Sequence, residues 1–176
     1  METVQRITGW IPGSAEHSVI RVTDDGIHFE GVVLGGSIDE PFAVRYAVMA
    51  DLEGRCRGVT ARAIGSPLLL ELFADGTGSW TDADGHVIRE LDGAIDVDLG
   101  VTPVTHALTM RRLGLGIWEA AQVQVACLDV LAGEIELAER RYERVGEDRF
   151  RIEESATGAG RECRADDARW SMHVIA

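Results

Sequence analysis

The residues with the most varied chemistry lie between Asp96 and Arg112: Asp96 and Asp98 flanking Val97, then Thr102, Thr105, His106 and the pair Arg111-Arg112. Residues two apart on a strand share a face, so the two carboxylates could grip a cation or accept sugar hydroxyls together. A histidine beside a threonine and ahead of arginines can shuttle a proton or donate to a ligand. An arginine turned inward among apolar residues suits a phosphate or carboxylate head group, whereas one turned outward in an acidic chain finds a carboxylate. As consecutive strand residues, Arg111 and Arg112 would face opposite ways, which gives one a structural role and the other a cavity. Donors, acceptors and fixed cations among apolar residues make Leu91 to Leu115 the expected wall of a binding pocket.

Other patterns reduce to simpler explanations. Asp96-Val97-Asp98 matches the Asp-x-Asp of metal-dependent glycosyltransferases, but the chain lacks the nucleotide-binding α/β domain those enzymes need, and a solvated strand face accounts for it. Asp82-Ala83-Asp84-Gly85 hints at a calcium loop; aligning Gly85 with the invariant glycine puts Trp80 and Leu91 at ligand positions, so it reads as a turn. The five histidines show neither HxH nor HExxH spacing. The three cysteines, Cys56, Cys127 and Cys163, are far apart and form no CxxC, so neither a metal centre nor a disulfide framework is expected. No GxSxG elbow, Walker loop or helix-opening GxGxxG is present, and no cofactor is expected. Trp80 and Tyr142 complete the candidate set: a flat apolar ring with one polar atom either stacks on a ligand or fills a core, and Trp10, Trp118, Trp170 and Tyr46 share that ambiguity.

The elements that must position these residues read as strands. Between Glu16 and Phe73, Ile27, Phe29 and Val33 alternate with His28 and Glu30, and Phe42, Val44, Tyr46 and Val48 repeat the period of two. Asp-Gly recurs at Asp75-Gly76, Asp84-Gly85 and Asp92-Gly93, the strongest short hairpin cue, and predicts an antiparallel meander without a βαβ rhythm. Trp118 to Val145 has helical composition, yet Val123, Val125 and Cys127 alternate with Gln122, Gln124 and Ala126, and the pattern favours strands. Arg149 to Glu154 is a further strand. Arg164 to Ala176 reads as a last hairpin bent at Asp166-Asp167, with Trp170, Met172 and Val174 on one face. No linker interrupts the 176 residues, so a single domain over 1–176 is expected, mainly β with few or no helices.

A net charge of −13 with no lysine opposes nucleic acid and anionic membrane surfaces. No apolar run approaches the roughly 18 residues of a membrane span, and the start of the chain lacks the build of a signal peptide, which predicts a cytoplasmic protein.

The chain resembles the bacterial "putative glycolipid-binding" family of small proteins. The resemblance is densest at Asp92-Gly93, Asp96-Val97-Asp98-Leu99, Thr102-Pro103, Thr105 and Arg111-Arg112-Leu113. It extends to Trp10, Glu16, Tyr46, Asp51, the Asp75-Gly76-x-Gly78-x-Trp80 turn, Tyr142 and Asp166. The pattern departs at Ala94, where the family has cysteine, at Thr105 to Thr109, where it has Thr-Asn-Thr-Leu-Pro, and at Arg140, where it has glutamine. The resemblance implies a strongly curved antiparallel sheet, an open half-barrel similar to periplasmic lipoprotein carriers.

Three functions follow. The first is non-enzymatic binding of an amphipathic lipid or glycolipid-like molecule in the concave face, lined by the candidates Trp80, Asp96, Asp98, Thr102, Thr105, His106, Arg111, Arg112 and Tyr142. The second is an enzyme acting on a small acidic substrate, with an aspartate as base, His106 as acid and an arginine as anion clamp. The third is a structural or partner-binding domain, a homo-oligomer included.

Overall fold

The computed structural model describes residues 1–166 and 171–175. The protein is mainly β. Seven strands, β1 (Glu2–Thr8), β2 (Ala15–Thr23), β3 (Gly26–Gly36), β4 (Pro41–Ala50), β5 (Cys56–Ala63), β6 (Leu70–Ala74) and β7 (Trp80–Asp82), form one antiparallel meander in sequence order. The predicted alternation is what builds it: Ile27, Phe29, Val33, Val44, Tyr46 and Val48 are buried, while His28 and Glu30 are exposed. The second sheet contains β8 (Asp96–Asp98), β9 (Ala120–Asp129), β10 (Glu134–Arg144), β11 (Arg149–Glu154), β12 (Gly160–Asp166) and β13 (Ser171–Val174), in the order 13-12-11-10-9-8.

Trp118 to Val145 thus resolves into the β9–β10 hairpin, as its period of two predicts. The last hairpin is present as β12 and β13 with Met172 fully buried, while Asp167 and Trp170 lie outside the described residues. The strands divide between two sheets, and neither is closed on itself among the described residues; this pairing does not by itself establish the half-barrel. The sheets meet at two seams. The Met172 amide donates to Gln5 Oε1 at 3.0 Å where β13 meets β1, and the Cys56 amide donates to the Ile95 carbonyl at 3.2 Å where β5 meets the entry to β8. One continuous buried cluster draws on both sheets.

Two expectations fail between Leu91 and Leu115. Asp92-Gly93 does not turn a hairpin: it leads from a 3-10 turn at Arg89–Leu91 into β8, which pairs with β9 in parallel. The segment between them is a helix, α1 (Val104–Leu113), where strand was expected. Parallel neighbours need a crossover, and α1 supplies it, so the described residues contain one βαβ unit after all. Pro103 stands at the helix N-cap and Gly114, with φ of +57°, ends it in the left-handed conformation while its amide donates to the Met110 carbonyl. Every residue from Val104 to Met110 is buried, so α1 is an internal strut and not an amphipathic surface helix.

Candidate functional site

Asp96 and Asp98 of β8 face α1. Asp96 accepts both arms of Arg112, Nε to Oδ1 at 3.0 Å and Nη2 to Oδ2 at 2.5 Å. The Asp96 side chain is 1% exposed and that of Arg112 20%, so this bidentate pair fills the end of the interface and lines neither of the cavities described below. The pairing of an aspartate with one of the twin arginines was expected, but it runs from helix to strand and not across a ladder. Arg111, the next residue round the helix, is exposed and lines none of the cavities described below.

Asp98 has different company. Its Oδ2 accepts Nε of Arg140 at 2.9 Å and its Oδ1 accepts the Gly100 amide at 2.8 Å. Nε2 of His106 lies 3.7 Å from Oδ1, and Nδ1 of His106 is 2.7 Å from the Tyr142 hydroxyl. Burial and the Asp98 charge raise the Tyr142 pKa well above the ordinary phenol value, so Tyr142 keeps its proton and donates it to Nδ1, leaving Nε2–H directed at Asp98. Burial lowers the His106 pKa, with Arg140 and Arg161 adding to it against the pull of Asp98, and the imidazole is neutral at pH 7. Burial pushes the Asp98 carboxyl up, but the interactions with His106, Arg140 and the Gly100 amide outweigh it and hold Asp98 below the usual range.

These groups line a polar cavity of about 220 Å3 with Trp10, Glu154, Ala159, Gly160 and Arg161. Gly100, with φ of +63°, is its hinge. The left-handed backbone turns the chain sharply after β8, so that its amide reaches Asp98 while its carbonyl accepts Trp10 Nε1 at 2.9 Å. The Trp10 ring is packed by His106 at 5.3 Å between centroids and by the Arg161 guanidinium at 4.8 Å. A second cavity of about 560 Å3 begins on the other side of Gly100. Its walls are apolar (Ile11, Leu99, Val101, Leu128, Val130 and Ile135) and its rim carries Asp129, Glu134 and Glu136. The two also touch through Cys127, which lines the groove and sits 3.5 Å from Nη2 of Arg140. Burial pushes the Cys127 thiol up to about 11, so it is a neutral, unreactive wall.

Of the predicted residues, Asp98, His106 and Tyr142 therefore converge at one place. Thr102 belongs to a neighbouring network: its hydroxyl donates to Glu16 Oε2 at 2.7 Å and accepts the Val104 amide at 3.1 Å, and the Tyr46 hydroxyl donates to Glu16 Oε1. Burial raises the pKa of Glu16 against the hydrogen bonds from Tyr46 and Thr102. Thr105 is buried in α1, and its hydroxyl has no partner among the described residues. Trp80 is fully buried with Nε1 on the Ala94 carbonyl at 2.7 Å, which makes it core.

Sequence reasoning missed Arg140, Glu154 and Arg161 as site residues, and a signal for them exists. Each occupies the inward parity of its strand, in step with buried Tyr142, Ile152 and Cys163 respectively, and a charge in a core register needs a partner or a ligand. Gly100 was missed because a lone glycine after a strand carries no such mark.

The described residues thus form a two-sheet β fold with one internal helix, and an apolar groove and a charged pocket share Gly100. Residues 11–167 match the family model described as "putative glycolipid-binding", and the chain belongs to that family. The crystal structure of a DUF1089 family protein from Pseudomonas aeruginosa has the same fold, with a TM-score of 0.77 at 23% identity over 91% of this chain and 87% of that one. No curated protein matches the chain. No helix among the described residues is long and apolar enough to cross a membrane.

Proposed function

We propose that the protein binds, without chemistry, an amphipathic small molecule of lipid or glycolipid type, its chain in the groove beside β9 and its head at the Asp98–His106–Arg140 pocket. The observation that carries this reading is that the two cavities share Gly100 and differ in character, one walled by aliphatic side chains and the other by charges. Apolar walls contribute affinity at roughly 25 cal/mol per Å2 buried, and a few fixed polar groups set orientation. The groove volume of about 560 Å3 lies within the roughly 300–1,000 Å3 of small-molecule sites. Membership of the family is consistent with a small ligand. A cytoplasmic setting agrees with three unpaired thiols.

Native mass spectrometry of gently purified protein is expected to show a co-purifying lipid-sized mass, and a fluorescent fatty-acid probe is expected to bind and to be displaced by it. Clean apo protein that ignores the probe would end this reading. The enzymatic alternative keeps Asp98 and His106 at the pocket but loses its proposed clamp, since Arg112 is committed to Asp96 and Arg111 is exposed.

A further inference from the structure

We propose that the pocket selects an amphiphile with an anionic head group, a carboxylate, sulfate or phosphate ester, and that Arg161 is the residue that grips it. The inference rests on the binding function above and adds the class of head group. The pocket contains two carboxylates and two guanidiniums, and their pairing is uneven. Asp98 takes Nε of Arg140 at 2.9 Å, and Glu154 lies 3.5 Å from Nη1 of the same arginine. Glu154 also accepts the Thr157 hydroxyl at 2.5 Å. Both negative charges of the pocket are therefore directed at one cation.

Arg161 has no carboxylate within ion-pair distance among the described residues, in a chain whose acidic residues number 30 against 17 arginines. Its guanidinium lies over the Trp10 ring, 4.8 Å from the centroid. Stacking occupies the face of the fork and leaves the N–H donors at its edge unspent, which is the arrangement that receives a planar or tetrahedral oxyanion. The floor beneath it is fixed, because Trp10 is 7% exposed and its indole N–H is held by the Gly100 carbonyl. Gly160 precedes Arg161 in the same wall, and strand parity with buried Cys163 directs Arg161 inward from the end of β12. An uncharged sugar would find the Trp10 ring already covered by Arg161 and His106. An anion would find donors without an acceptor.

The test is calorimetric titration of the intact protein with dodecyl phosphate, dodecyl maltoside and inorganic phosphate, repeated on Arg161→Met and Arg161→Lys. Arg161 is exposed, so both variants are expected to melt with the wild type. Dodecyl phosphate should bind at least about tenfold more tightly than dodecyl maltoside, as loss of one charge-assisted contact implies. Arg161→Met should erase that preference by weakening dodecyl phosphate, and Arg161→Lys should fall between. Equal wild-type affinity for the two detergents, or an equal loss of both in Arg161→Met, would refute the anion clamp while leaving the amphiphile reading standing. Inorganic phosphate binding as tightly as dodecyl phosphate would replace it with a free-anion site. If neither detergent binds, the binding function fails and takes this inference with it.

Discussion

Asp96 and Asp98 leave one three-residue strand toward the same helix and end in opposite situations. The order of their partners, Arg112 for Asp96 and His106 for Asp98, shows that α1 runs against β8. The last turn of the helix therefore meets the first aspartate and its first turn meets the second. A guanidinium fork satisfies both oxygens of Asp96 at once and seals that end. A histidine already spent on Tyr142 cannot do the same for Asp98, whose remaining lone pairs go to Arg140 and the Gly100 amide at the edge of a cavity. Two identical residues on one face thus divide into scaffold and site because of what the opposing element delivers.

The largest expected effect is at the sealed end. Arg112→Met leaves a carboxylate that is 1% exposed without its cation, and stability should fall by about 3–5 kcal/mol in urea or thermal melts. Adding Asp96→Leu to that variant should recover much of the loss, since removing both partners leaves no stranded charge. A single variant that melts with the wild type would mean that Asp96 is not scaffold, and the contrast between the two aspartates would collapse.

The meander, the β9–β10 hairpin and the shared face of Asp96 and Asp98 were legible because they rest on a period of two, which the pleat enforces wherever one face is buried. Helix α1 was not. Its residues from Val104 to Met110 are buried all round, so no apolar stripe marks a period of 3.6, and Val104, Thr105, His106 and Thr109 are poor helix formers. Its ends were marked nonetheless: Pro103 at the entry, two arginines in the last turn, Gly114 just beyond. Arg111 and Arg112 were expected, as strand residues, to divide into one structural and one facing the cavity. On the helix, where neighbours point about 100° apart, Arg112 pairs with Asp96, Arg111 is exposed, and neither lines the two cavities described. The pocket itself was half legible. Asp98, His106 and Tyr142 stood out by type, whereas Arg140 and Arg161 stand out only once their inward parity is known.

An intermediate effect is expected at the open end, and pH separates it from simple packing. The folded pKa of His106 lies below its ordinary 6.5, so as pH falls through that value the unfolded chain binds a proton that the native state resists. The stability contributed by neutral His106 is complete above pH 6.5 and is lost as pH drops toward the lowered folded value. Glu16 acts in the opposite sense: its folded pKa is raised above 4.5, so its contribution is complete below pH 4.5 and is lost as pH rises through the folded value. The wild-type profile mixes the two. The difference between wild type and His106→Gln isolates the histidine, and urea titrations at pH 7.5 and 5.5 should show the variant gaining on the wild type at the lower pH. Tyr142→Phe, which strips the donor from Nδ1, should cost about 1–3 kcal/mol at pH 7.5, and the cost should remain at pH 5.5, because the Nδ1–H of a charged His106 would lose the hydroxyl as its acceptor. A pH-independent gap between wild type and His106→Gln would mean that His106 does not titrate against its surroundings.

The smallest effect is predicted for Arg111, and it bears most directly on where the site lies. One of the twin arginines was expected at a ligand; Arg112 is committed to Asp96, and Arg111 is exposed in the last turn of α1, at the Asp96 end of the interface. A cation there complements the helix dipole by about 0.3–1 kcal/mol, and an exposed pairing of any kind adds no more than about 1 kcal/mol. Arg111→Met should therefore melt within about 1 kcal/mol of the wild type and bind the fatty-acid probe unchanged. The informative failure is a variant that folds normally and no longer binds. Such a result would move the ligand to the exit of α1, away from Gly100 and both cavities beside it, and the arginine judged least important by burial would become the one that marks the site.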